Sequence, residues 1–133
     1  MLDRDARAVS WSSWSHDFRS RGNGFGNDLG DLARMYRMHL ALVERYRAAC
    51  PDRIATVPYE QLTEHREEKS HTLAAAAGLG WEPACLDFHE TRHAVRTASA
   101  GQVRQKMYTG SSEAWRRYAS HLAPLLEALD NVG

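Results

Sequence analysis

The sequence predicts a mostly helical domain with one short internal strand. Two amphipathic runs and the scarcity of alternation point to it. From Asp28 to Ala49, the residues Leu29, Leu32, Tyr36, His39, Val43, Tyr46 and Cys50 recur at i, i+3/i+4 and i+7, the period of one helical face. Trp115, Tyr118, Leu122, Leu125, Leu126 and Leu129 repeat that pattern near the other end of the chain. Only Arg53–Pro58 alternates and carries β-branched residues as a strand does. With 133 residues and 43% hydrophobic content, the chain suits one domain that buries roughly two-thirds of its unfolded surface.

Composition narrows the function classes. Lys plus Arg number 17 and Asp plus Glu number 17. A chain with no excess positive charge is not a general nucleic-acid binder, because that binding rests on clustered cations. Cys50 and Cys85 form neither a CxxC pair nor a disulfide framework, which suits free thiols in a reducing compartment. No apolar run reaches the roughly 20 residues that span a bilayer, and no signal peptide opens the chain. A soluble cytoplasmic protein is expected. Asp3-Arg4-Asp5-Ala6-Arg7 follows Met1-Leu2 directly, as in a self-contained domain or a piece of a longer one.

Taken in order, residues 5–18 place Val9, Trp11, Trp14 and Phe18 mostly on one helical face, with Asp5 near the positive end of the helix dipole. Residues 19–26 hold three glycines and predict a loop. Asn27 or Asp28 then caps the long helix, and Pro51-Asp52 ends it. The strand over 53–58 leads into Tyr59–Leu62 as its exit; it pairs with residues 1–3 or its neighbours are absent. A helix over about 64–77 ends at Gly78-Leu79-Gly80, and its run of alanines from Ala74 to Ala77 would allow close packing. Trp81–Leu86 reads as a turn and a short helix docked by Trp81 and Leu86. No periodicity holds from His89 to Gly110, a length at which loops are functional or disordered. Ser111 or Ser112 caps the last helix, which Pro124 bends or interrupts. About five helices and one or two short strands result.

Two constellations bear chemistry. His89-Glu90-Thr91-Arg92-His93 spells HExxH, whose zinc chemistry needs both imidazoles on one helical face. The segment has no amphipathic frame to supply that face, and the expectation is no metal. The second constellation is Arg4, Ser12, Tyr59, Ser99, Arg104, Lys106 and Ser111. Small residues, guanidinium groups and a serine-capped helix start suit an anion, with Arg4 and Ser12 bracketing a helical N-terminal turn.

Residues 4–18 (RDARAVSWSSWSHDF), 51–62 (PDRIATVPYEQL) and 78–125, with TASAGQVR followed by a W-x-x-Y helix, resemble the C-terminal half of sulfotransferases. These enzymes use 3′-phosphoadenosine 5′-phosphosulfate (PAPS); the nearest resemblance is to bacterial forms often fused to tetratricopeptide repeats. It covers nearly the whole chain in the same order. It implies an α/β sulfotransferase fold, P-loop-NTPase-like, of which residues 1–133 form only the C-terminal, mostly helical part as a single partial domain. It implies that Arg4 and Ser12 meet the 3′-phosphate and Tyr59 the adenine. Ser99 would stand near the bridging oxygen of the sulfuryl group. Arg104, Lys106 and Ser111 would lie on the segment that closes over PAPS or its product adenosine 3′,5′-bisphosphate.

The family carries similar letters at the HExxH position without a metal. Lys106 and Ala6 stand where prolines are usual. No Gly-rich phosphate loop precedes Arg4, and in the family that loop and the catalytic base lie upstream. The resemblance therefore implies one side of a site for sulfuryl transfer to a hydroxyl or amine of an unidentified acceptor. A missing N-terminal half would be its partner, and the chain alone would be inactive.

Overall fold

The computed structural model describes residues 1–16, 22–90, 101 and 104–130. In chain order the regular elements are β1 (Leu2–Asp3), α1 (Ala6–Trp14), α2 (Leu29–Ala49), β2 (Val57–Pro58), α3 (Tyr59–Glu64), α4 (Arg66–Ala76) and α5 (Ala123–Asp130). A 3₁₀ helix runs over Ser111–His121, and shorter 3₁₀ turns occupy Gly24–Asn27, Pro51–Arg53, Pro83–Cys85 and Phe88–Glu90. The protein is mostly helical with two short parallel strands, and no described helix is long and apolar enough to cross a membrane. Its contacts group into two compact units, Met1–Asp3 with Ala55–Thr109 and Arg4–Ile54 with Gly110–Gly133.

The second of these units holds the larger core. Asp5 caps α1 by accepting from the Ala8 N–H at 3.0 Å, and Asp28 caps α2 by accepting from the Asp31 N–H at 2.8 Å, each satisfying a donor that the helix start leaves orphaned. Asn27 belongs instead to the 3₁₀ turn before α2. Ala8, Leu32, Ala33, Trp115, Leu122, Leu125 and Leu129 form the buried cluster, with Trp11, Leu29, Tyr36 and Leu126 packed against it. Burying each of the leucines is worth roughly 1.5–3 kcal/mol. On α1 the buried positions are Ala8 and Ser10, while Trp14 is exposed. Short side chains let α1 sit close to its neighbours, so the face predicted around Val9 and Trp14 is rotated. On α2 the core takes Leu32, Ala33 and Tyr36, and His39, Tyr46 and Cys50 from the predicted stripe are exposed.

The final segment differs from the single serine-capped α-helix expected. Gly110, at φ +84°, and not a serine, is the N-cap of the 3₁₀ helix. That backbone region favours glycine. Pro124 has no N–H and would clash with the carbonyl four residues back in a continuous helix. The path breaks at Leu122, and Pro124 becomes the second residue of α5, where a missing donor costs nothing.

The other unit is built on β1 and β2. They pair in parallel, Leu2 with Val57 and Asp3 with Pro58, and the Val57 N–H donates to the Met1 carbonyl at 2.9 Å. The pairing with residues 1–3 is thus realised. Pro58 then serves as N-cap of α3, so Tyr59–Leu62 is helix and not a strand exit. At the end of α4, Gly78 (φ +70°) and Leu79 donate to the Ala75 and Ala74 carbonyls at 3.0 and 2.9 Å, the paired bonds of a Schellman motif. Ala75 to Ala77 are exposed, so that run is not packed as predicted. The Trp81 indole N–H donates to Ser70 Oγ at 2.8 Å, and its ring stacks on His71 at 3.8 Å, holding the turn after α4 in place.

Candidate functional site

The 3₁₀ geometry of Ser111–His121 decides what its side chains meet. With three residues per turn, positions i and i+3 lie one above the other. Ser112, Trp115 and Tyr118 therefore share a face: Ser112 and Trp115 are buried, and Tyr118 stacks on Trp11 of α1 with centroids 4.2 Å apart. Glu113 and Arg116 are aligned in the same way and form an ion pair.

Arg4, two residues before α1, reaches this helix start. Its Nε–H donates to Ser112 Oγ at 3.2 Å, and Nη2 donates to Ser111 Oγ at 3.3 Å. Two further guanidinium groups lie on the Trp115 ring, Arg7 at 5.2 Å and Arg116 at 5.0 Å from its centroid, within cation–π range. Arg7 is also 3.4 Å from Asp5. Arg7 and Arg116 have carboxylate partners, and Arg4 bonds the two hydroxyls. Arg4, Ser111 and Ser112 together bring a positive charge and two hydroxyls to one place, residue types that suit an anion.

The predicted residues are distributed as follows. Arg4 and Ser111 are brought together, and Ser112, predicted only as a cap, joins them. No local signal marks that contact, since Arg4 and Ser112 are 108 positions apart. Ser12 is in the last turn of α1 and not at its N-terminal turn, roughly 9 Å along the axis from the helix start at 1.5 Å per residue; its carbonyl accepts from the Ser15 hydroxyl at 3.2 Å. Tyr59 is half-buried at the first position of α3. It belongs with the exposed Arg104 and Lys106 to the unit built on β1 and β2. Ser99 lies outside the described residues.

The HExxH segment is described only in part. His89 and Glu90 close a 3₁₀ turn over Phe88–Glu90 and His93 lies outside the described residues. Asp87, His89 and Glu90 hold ligand-type atoms within 4.8 Å of one another. His89 Nε2 is 4.0 Å from Glu90 Oε1, and its buried Nδ1 has no hydrogen-bond partner.

No protein-family model matches the sequence, and no solved structure matches it. The chain is similar to an uncharacterized protein of Aquifex aeolicus (strain VF5), 35% identical over 130 residues. The alignment covers 96% of this chain but 17% of that protein, so the chain spans about a sixth of the length of the curated relative it matches.

Proposed function

We propose that this chain forms the 3′-phosphate side of the cofactor site of a PAPS-dependent sulfotransferase, with the C-terminal part of that fold. The observation that carries the reading is the Arg4 guanidinium held against the Ser111 and Ser112 hydroxyls. The sequence resemblance assigns Arg4 to the 3′-phosphate, and the chemistry of this cluster suits a dianion. The guanidinium fork can make two parallel bonds to phosphate oxygens. The Ser111 and Ser112 hydroxyls lie within hydrogen-bond distance of that guanidinium.

The sequence resemblance, and not a contact in the structure, also assigns Ser12 to the 3′-phosphate, Tyr59 to adenine, and Arg104 and Lys106 to the segment that covers the nucleotide. Ser99 donates toward the sulfuryl bridging oxygen. Sulfuryl transfer breaks the bond from sulfur to that oxygen and leaves charge on the 5′-phosphate, so preorganised donors there lower the barrier. The acceptor hydroxyl or amine needs a base that the resemblance places outside this chain. The 133 residues alone therefore bind nucleotide weakly and sulfate nothing.

Titration of the chain with adenosine 3′,5′-bisphosphate tests the reading. Binding weakened at least tenfold in Arg4→Ala is expected. Failure of the folded wild-type chain to bind at millimolar nucleotide would instead favour a helical interaction module without a cofactor.

A further inference from the structure

α2 carries a second apolar stripe beside its buried one. Met35, Met38, Leu42 and Tyr46 recur at intervals of three and four residues and are 41%, 60%, 50% and 56% exposed. At 3.6 residues per turn they cluster roughly 115° around the helix from the core-facing Leu32, Ala33, Tyr36 and Val43. Arg34, Arg37, Glu44 and Arg45 occupy the remaining flank. A surface helix of a self-sufficient domain has one apolar face and a polar remainder, and α2 has two.

The size of the stripe bears on what covers it. Taking about 200 Å² for a fully exposed large side chain, it presents on the order of 400 Å² of contiguous apolar surface, the scale that marks an interaction face. Two copies pairing through it would bury only about 800 Å² in total, short of the roughly 1,200 Å² of stable interfaces. A larger body is needed. In the Aquifex protein the part equivalent to 96% of this chain makes up only 17% of the polypeptide.

We infer that the Met35–Met38–Leu42–Tyr46 stripe is the docking face for further polypeptide of the kind that fills out the Aquifex relative, presenting aliphatic and aromatic side chains. The inference is independent of the nucleotide reading and concerns a surface away from Arg4, Ser111 and Ser112 in sequence.

The experiment substitutes Glu for both Met38 and Leu42 here, and at the two aligned positions of the full-length Aquifex protein. This chain should keep its melting temperature, since both side chains already face water. It should stay monomeric in sedimentation, and its affinity for adenosine 3′,5′-bisphosphate should not change. The Aquifex protein should become at least tenfold more susceptible to thermolysin. Equal susceptibility of the Aquifex parent and variant would overturn the inference. So would loss of stability in this chain, which would mean that the stripe is packed within its own unit. A wild-type dimer dissolved by the substitutions would overturn it as well, assigning the stripe to a second copy.

Discussion

Replacing Ser112 by Ala tests the Arg4 cluster without touching the apolar core. Ser112 is 7% exposed, so water has little access to take over the bond that its hydroxyl accepts from Arg4 Nε at 3.2 Å. Hydrogen bonds to charged groups contribute roughly 1.5–3 kcal/mol. This one is longer than the usual 2.9–3.0 Å, and Arg4 is half-exposed, which lets solvent compensate from that side. A loss of about 1 kcal/mol follows, equivalent to about 3–4 °C in melting temperature for a chain of this size. Arg4→Ala removes the Ser111 bond as well and should cost somewhat more. The decisive quantity is their coupling in a double-mutant cycle, measured by urea unfolding. About 0.5–1 kcal/mol is expected for a direct contact, against the ~0.3–0.5 kcal/mol within which unlinked sites add. Additivity within ~0.3 kcal/mol would refute the contact, and the placement of Arg4 against the 3₁₀ helix with it.

Three other outcomes follow from the structure. Leu125 is fully buried among Leu32, Ala33 and Trp115, so Leu125→Ala should cost about 3–4 kcal/mol in urea unfolding. Gly78 sits at φ +70° with open space where a Cβ would lie, so Gly78→Ala should cost about 1–2 kcal/mol through backbone strain alone, and Gly78→Asn less. A hydrogen bond and the charge of Lys69 hold the Glu68 carboxyl below its ordinary value. That contribution is present above the unfolded-state value and lost as pH falls through the folded one. NMR titration should show a low midpoint for Glu68 that rises in Lys69→Ala, and an unchanged midpoint would remove Lys69 as its cause.

The elements legible in the sequence are those whose signals are local. Asp28, the periodic leucines and Pro51 bound α2 because capping, amphipathicity and the missing proline N–H all act within a few residues. Gly78 marks the end of α4 for the same reason. The strand pairing was half legible: alternation over 53–58 asked for a partner, and residues 1–3 were one of two answers. The site was less so. Ser111 and Ser112 have the composition of helix caps, yet Gly110 takes the cap and the hydroxyls accept from a guanidinium 107 and 108 positions away. No periodicity encodes that. Nor does the spacing of Trp115 and Tyr118 distinguish a 3₁₀ from an α helix, although the choice determines that Ser112 shares their face. The period of α2 predicts one core-facing set from Leu29 to Cys50, of which His39, Tyr46 and Cys50 are exposed, because a period locates apolar residues without saying which are covered.

Isothermal titration with adenosine 3′,5′-bisphosphate and with adenosine 5′-monophosphate, on the wild-type chain and Arg4→Ala, tests the central claim most directly. If Arg4 holds a 3′-phosphate, the wild type prefers the bisphosphate by at least tenfold and Arg4→Ala abolishes that preference while binding both ligands alike. Equal affinity of the wild type for the two nucleotides, or a preference that survives Arg4→Ala, would contradict it.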